Sequence, residues 1–332
     1  MPRNTAPAPR CPRLTRARAP PLVPLSRRPQ GGATLNSIRV AQWILSGMEK
    51  GESTSYVGCI GKGDEFGAKM KAQLEADKVK ALFMETDEKP TGTCAVLVKD
   101  GERSLIANLA AAEKYSIEHF KTPEVLAAAR QAEIFYMAGF PLTHEGGAAT
   151  VKVICQHAVD NKKTCCMNIS APFLCMVPPF FAALCEALKY CSYVFCNESE
   201  AAEFAKAKGW GEGLPIPEIA KKMAAMESEV RYGLIAVVTQ GADKTVVAHP
   251  PLPGGDQQVN EYDVMANPWE LTKEKIKDTN GAGDAFVGGF LSQLALGSPE
   301  AICVRIGHFA AGTIIQQSGC TCPDISTVDH VL

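Results

Sequence analysis

Between Ile134 and Gln317, short apolar runs alternate with stretches of helical period, and this alternation leaves the chain few folds to choose from. The runs Ile134–Ala138, Thr164–Ile169, Ser192–Cys196 and Leu234–Thr239 are apolar at nearly every position. A strand of that kind needs cover on both faces, which a mainly parallel sheet with helices on each side provides. The expected helices lie near Gly147–Val159 and Phe180–Ala187, from Ser199 onward, and at Ala282–Leu296 and Pro299–Gln317. Upstream, Asn36–Met48 places Ile38, Ala41, Ile44 and Leu45 on one helical face. Ser53–Gly61 reads as a buried strand, and Asp64 as the cap of the helix that follows it. Shorter β-type runs are expected around Ala81–Met84, Cys94–Lys99 and Ser104–Ala107. The fold class is α/β.

The first 30 residues are different material. They hold seven Arg and eight Pro, and no Asp, Glu or Lys occurs before Glu49. Eight prolines interrupt any helix or ladder, so this stretch reads as a disordered tail. It is Arg-rich and acid-free like an organelle transit peptide, but the proline load spoils the amphipathic helix such a peptide uses. The whole chain carries a net charge of −2; without the tail's Arg, 27 basic residues face 36 acidic ones. That balance gives no reason to expect nucleic-acid binding or a polybasic membrane tether. No apolar run approaches the roughly 20 residues that span a bilayer. The 13 cysteines include no CxxC pair and sit mostly in apolar segments, so they read as reduced core residues of a cytoplasmic protein.

Chemistry concentrates in Asp278-Thr-Asn-Gly-Ala-Gly-Asp284, which opens the apolar helix AFVGGFLSQLAL. Gly281 and Gly283 allow a tight turn whose N–H groups converge at a helix N-terminus, where an anion is stabilised. Asp284, in the first turn, can take the proton of an attacking hydroxyl beside that anion. It is also simply an acid favoured by the helix dipole. Gly288-Gly289, one turn on, expect close helix packing. The spacing is neither a P-loop nor GxGxxG. Asn197-Glu-Ser-Glu200 follows an apolar strand at its C-terminal end, where open α/β sheets bind ligands. Glu200 can hold a magnesium-bound water, and Asn197 with Glu200 is equally a capping box.

The runs GGATLNSIRVAQW (31–43), GCIGKGDEFG (58–67), PTGTCAVLV (90–98), ERSLIANLAAA (102–112), NISAPF (168–173), NESEA (197–201), VVTQGAD (237–243) and DTNGAGDAFVGGFLSQL (278–294) together resemble the ribokinase-like family of carbohydrate and nucleoside kinases. The likeness covers about residues 31–323. Within the family, RSLIANLAAA and the AQW helix point to the branch that phosphorylates adenosine rather than to the sugar kinases. The resemblance implies a three-layer α/β/α kinase domain over 31–332, with a small β-lid within about 79–110, acting as a monomer in the cytoplasm or nucleus. It implies purine salvage: ATP and Mg2+ with adenosine, giving AMP. It makes Asp284 the base, Gly281, Ala282 and Gly283 the anion hole, and Asn197 and Glu200 the magnesium-ordering pair, acting through water. Gly31, Gly32 and Asn36 become the diglycine element at the ribose. Arg103 becomes the lid arginine, Leu105, Ala107 and Leu109 the lid wall of the base pocket, and Phe173 the ring against adenine. Thr239, Gly241, Asn280 and His308 fall on the ATP side. Read without the resemblance, several of these have plainer roles: Gly31-Gly32 as a flexible joint, Arg103 as a solvated charge, Phe173 and His308 as packing residues.

The family's fold opens several dozen residues before its diglycine, with a strand carrying a G-N-x-x-x-D element whose Asp grips the ribose hydroxyls. Residues 1–30 contain no Asp and no strand-like run, so the expectation is a sheet lacking that strand and part of the lid, with an open edge or gap. Pro141 stands where a second aromatic is usual, and Ala33 where Ser is. Three activities remain open at this level: an adenosine-phosphorylating enzyme, a truncated nucleotide-binding relative of weak or no activity, and a sugar kinase.

Overall fold

The computed structural model describes residues 31–99, 102–264 and 271–324, so the Arg/Pro-rich tail lies outside the described residues. In chain order the elements are α1 (Ala33–Gly47), β1 (Thr54–Gly61), α2 (Glu65–Ala76), β2 (Val79–Thr86), β3 (Thr93–Lys99) and β4 (Glu102–Asn108). Next come α3 (Ile117–Phe120), α4 (Pro123–Gln131), β5 (Ile134–Ala138), α5 (Glu145–Asp160), β6 (Thr164–Asn168), α6 (Phe173–Met176), α7 (Pro178–Leu188) and β7 (Tyr193–Asn197). The chain continues with α8 (Glu198–Ala207), α9 (Ile216–Ala224), β8 (Ile235–Gln240), β9 (Asp243–Ala248), β10 (Val259–Tyr262), α10 (Ala282–Leu294) and α11 (Glu300–Ile314).

A six-stranded sheet in the order β10-β9-β8-β7-β6-β5 forms the centre, with β5 to β8 parallel and β9 and β10 antiparallel at one edge. The pleat sends successive side chains to opposite faces. Met137, Cys165, Met167, Val194 and Val238 pack with Val151, Leu184, Phe204 and Met223 of α5, α7, α8 and α9. Tyr136, Cys166, Phe195 and Val237 pack on the other face with Phe286, Phe290 and Val304 of α10 and α11. This double cover is why the strands read as continuous apolar runs, and it makes the layers α/β/α. Thiols contribute as small apolar groups: Cys155, Cys165 and Cys191 are buried sulfur to sulfur at 3.8 and 3.9 Å, and every described cysteine is free.

β1 and β2 form a separate parallel pair, and β3 and β4 an antiparallel hairpin. Among the described residues no ladder joins the β1–β2 pair to the central sheet, so the parallel strands lie in two pieces. Sequence patterning missed α4, α9, β9 and β10. β9 and β10 read as loop because β9 opens with exposed Asp243 and Lys244 and β10 has only four residues.

α10 runs between α1 and α11, and Gly288 and Gly289 let it do so. A Cβ on Gly288 would stand 2.5 Å from the Ser37 carbonyl oxygen of α1, and one on Gly289 would stand 2.5 Å from that of Ile306 in α11. The close packing expected of this pair is present, and it holds the first turn of α10 at the C-terminal ends of β6, β7 and β8.

Candidate active site

Asn168, Asn197 and Thr239 come from the C-terminal ends of β6, β7 and β8, and the ladder puts Asn197 opposite Thr239. Across from them is the start of α10. Together they line a cavity of about 120 Å³ with Ala33, Ser170, Glu200, Gly281, Gly283 and Asp284.

Gly281 caps α10 at φ 80, a left-handed conformation that glycine adopts without steric cost. It turns the chain sharply into the helix, and the N–H groups of the first turn have no acceptor inside the helix, that of Ala282 reaching back to the Thr279 carbonyl at 3.3 Å. A Cβ on Gly283 would meet nothing within 4 Å, so this turn opens directly into the cavity. The turn is tied down from behind: the Asp278 carboxylate accepts from the Asn280 N–H at 2.8 Å and from the Gly319 N–H at 3.0 Å.

Asp284 projects from the first turn of α10. Burial pushes its carboxyl up to about 6, and a hydrogen bond from Asn36 acts against that rise. The bond is direct: Asn36 Nδ2 donates to Asp284 Oδ2 at 2.8 Å. Asn36 Oδ1 is buried without a partner, which leaves one acceptor available for a hydroxyl beside the carboxylate. Asn36 is itself placed by the first turn of α1, where its N–H bonds the Gly32 carbonyl at 2.8 Å. Removing the amide takes away the bond that favours the ionised carboxylate. Asn36→Ala is therefore expected to lower kcat about tenfold or more and to move the acid limb of the rate profile to higher pH. A pH–rate series on both chains checks this.

Glu200 is 5% exposed. Its Oε2 accepts from the Asn197 N–H at 3.0 Å, and Asn197 Oδ1 accepts from the Glu200 N–H at 2.8 Å. The capping box is present, and its acid still faces the cavity. Burial pushes the Glu200 carboxyl up to about 7; the Asn197 bond opposes this, and the charges of Asp284 and Glu198 add to it. Two carboxylates raised by burial in one cavity form a site that favours a cation.

Of the residues singled out in the sequence, Asn197, Glu200, Thr239, Gly281, Gly283 and Asp284 line this cavity, with Ala282 and Asn280 in the same turn and Asn36 joined through Asp284. Gly31 and Gly32 lie just before α1, Gly32 at φ 124. Arg103 and Leu105 pair with Val98 and Val96 in the β3–β4 ladder, and Ala107 with Cys94; Leu109 follows the hairpin. Phe173 opens α6 and is 40% exposed, with Phe140 and Phe180 beside it. Gly241 sits in the β8–β9 turn at φ 58. His308 does not line the cavity. Its Nε2 is 2.8 Å from Thr245 Oγ1, its ring lies against Phe286, and burial pushes it down to about 4.

Two residues that sequence reasoning did not single out also belong here. Ser170 takes φ 71, a left-handed value uncommon outside glycine, held by its N–H on Asn168 Oδ1 at 2.7 Å and its Oγ on the Asn168 carbonyl at 3.0 Å. An Asn two residues before a Ser, just past an apolar strand, is the local signal for such a turn.

A family model described as pfkB family carbohydrate kinase matches residues 25–327. Adenosine kinase 1 of Arabidopsis thaliana is 46% identical over 296 residues, covering 89% of this chain and 80% of that protein. Among solved structures, Anopheles gambiae adenosine kinase in complex with P1,P4-di(adenosine-5) tetraphosphate superposes with a TM-score of 0.79 at 36% identity, covering 87% of this chain and 80% of that one. Schistosoma mansoni adenosine kinase in complex with 2-fluoroadenosine gives 0.80 at 30% identity, covering 90% and 82%. A family match over nearly the whole length, with relatives this similar over four-fifths of theirs, establishes the ancestry: the chain belongs to the pfkB family of carbohydrate kinases.

Proposed function

We propose that this chain transfers the γ-phosphoryl group of ATP to the 5′-hydroxyl of adenosine, giving AMP and ADP. The observation that carries the chemistry is the placement of Asp284: a half-buried carboxylate in the first turn of a helix whose N–H groups open into the same cavity. The choice of adenosine rests on relatives that are adenosine kinases, two of them 46% and 38% identical.

In this reading the 5′-hydroxyl lies between Asp284 and the γ-phosphoryl group. Asp284 accepts the hydroxyl proton as the new O–P bond forms and the bond to the leaving ADP oxygen breaks. The N–H groups of Gly281, Ala282 and Gly283 stabilise charge on the transferring group. Asn36 holds the carboxylate and offers Oδ1 to a sugar hydroxyl, with Gly31 and Gly32 beside it. Thr239, Gly241 and Asn280 serve the ATP side, while His308 packs behind it on Thr245 and Phe286. Phe173 and the β3–β4 hairpin, with Arg103, Leu105, Ala107 and Leu109, enclose the nucleoside and exclude water. The kinase domain runs from residue 31, with this lid inside 79–110. A magnesium ion brought with ATP supplies positive charge to the phosphate oxygens; Glu200 and Asn197 would hold it through water, and the excess of carboxylates in the cavity fits that role.

Among the described residues no helix is long and apolar enough to cross a membrane. A cytoplasmic or nuclear monomer acting in purine salvage is the setting proposed here.

The test is direct: purified chain, ATP, Mg2+ and adenosine, with AMP measured. AMP formation supports the reading, and its absence from a folded chain defeats it. Ribose and fructose, offered in place of adenosine, should give no product. Glu200→Gln keeps a side chain suited to the capping box and removes the charge. It is expected to leave the folded fraction unchanged and to raise the Mg2+ concentration at half-maximal rate about tenfold, measured by titrating the ion at fixed ATP.

A further inference from the structure

The hairpin β3–β4 leaves the body of the protein through a narrow neck, Pro90–Gly92 on the way out and Leu109–Ala111 on the return. The neck is pinched. The Ala111 N–H donates to the Pro90 carbonyl at 2.9 Å, and a Cβ on Gly92 would stand 2.7 Å from the Leu109 carbonyl oxygen. It is also strained: Ala110, buried in the neck, takes φ 45, a left-handed value that an alanine adopts at a cost.

One carboxylate grips this neck from the body. Asp64 Oδ2 accepts from the Thr91 N–H at 2.6 Å, and Oδ1 accepts from Thr91 Oγ1 at 2.7 Å. Oδ1 also caps α2, accepting from the Gly67 N–H at 2.6 Å. Thr91 Oγ1 in turn accepts from the Gly61 N–H at the end of β1, at 3.0 Å. Thr91 is 4% exposed, so these bonds are shielded from water. Gly61 is required for the approach: a Cβ there would fall 2.2 Å from Asp64 Oδ2. A helix cap needs one oxygen, and Asp64 uses the rest of its capacity on the hairpin's root.

We propose that Asp64 is a positioning residue of the transfer reaction, clasping the root of the β3–β4 hairpin through Thr91 so that the hairpin closes in one orientation over the nucleoside. The proposal rests on the reading of the hairpin as a lid. A small angular error at the root is magnified along the hairpin, and misplacement near 1 Å at a reacting group can cost about 10²-fold in rate. Burial works to raise the Asp64 carboxyl, but the bonds from Thr91 and Gly67 outweigh it and hold the carboxyl below its ordinary value. The clasp is therefore ionised throughout the neutral range.

Two variants of the full chain test this. Asp64→Asn keeps a good helix cap, but with its oxygen on Gly67 its NH2 group faces the Thr91 N–H, donor against donor. Thr91→Val keeps the shape and removes the hydroxyl. Each is expected to lower kcat/KM for adenosine about tenfold or more, with a fall in Tm of no more than a few degrees from the buried donor each leaves unpaired. Each should also uncouple the reaction, so that ADP formed exceeds AMP formed where the parent chain makes them one to one. A merely structural role would lower the amount of folded enzyme without moving that ratio. A ratio held at one to one with kcat/KM within about twofold in both variants would overturn the proposal. Should the parent chain make no AMP, the lid reading fails on its own, and hydrogen exchange decides the clasp. Faster exchange at residues 91–93 and 108–111 in Asp64→Asn, with α2 unchanged, supports it, and unchanged exchange there sinks it.

Discussion

Asp284→Asn is expected to lower kcat for AMP formation by about 10²–10⁴-fold, the range a positioned general base contributes. Binding should survive. The amide matches the carboxylate in shape, and the cradle of N–H groups at the start of α10 does not depend on it. Stability should hold or rise at neutral pH. Burial raises the Asp284 carboxyl to about 6, so the folded chain carries an ionised group in an unfavourable setting above that pH. The penalty is absent below the ordinary carboxylate range, develops as pH rises toward 6, and is complete above it. The same value sets the pH dependence of the parent enzyme: the base must be ionised, so the rate falls as pH drops through about 6. Single-turnover AMP formation, equilibrium binding of ATP and thermal melts at pH 5 and pH 8 check the three parts together. A variant that retains more than about a tenth of the parent's kcat would remove Asp284 from the role of base.

Gly289→Ala is expected to destabilise the fold although it adds a single carbon. The added methyl would collide with the Ile306 carbonyl oxygen at 2.5 Å and with the Ala310 Cβ at 2.9 Å. The first of these is backbone inside α11, which cannot rotate away as a side chain could. Overpacking of this kind costs about 2–3 kcal/mol, which lowers Tm by about 3–5 °C in a domain of this size. Helix propensity alone gives the opposite sign, since Ala is favoured over Gly in a helix by up to about 1 kcal/mol. A melt therefore decides between the two effects. The first turn of α10 carries Asp284, so a displaced helix should also lose activity in the fraction that folds.

Much of the fold could be read along the chain. The strands Ile134–Ala138 and Tyr193–Asn197 were legible because a parallel strand buried on both faces is apolar throughout. The turn before α10 was legible because an Asp-rich, glycine-rich segment ahead of an apolar helix has few other uses. The capping box of Asn197 and Glu200 is local by construction, since both bonds form within one turn. The helices Pro123–Gln131 and Ile216–Ala224 were not legible. They are nine residues each, near the length at which a periodic pattern can no longer be told from chance.

The site divides the same way. The residue types and their order along the chain were enough to name Asp284, Gly281, Gly283, Asn197 and Glu200, because each sits where a strand ends or a helix begins. Only the folded chain put Asn36 against Asp284, 248 positions apart, and left Asn36 Oδ1 without a partner. It also turned His308 onto Thr245, and hung the root of the hairpin on Asp64. Local hydrogen bonds and hydrophobic period are written in neighbouring residues and act before the chain is packed. The partner of a buried polar group is set by which elements pack together, and no stretch of sequence carries that information alone.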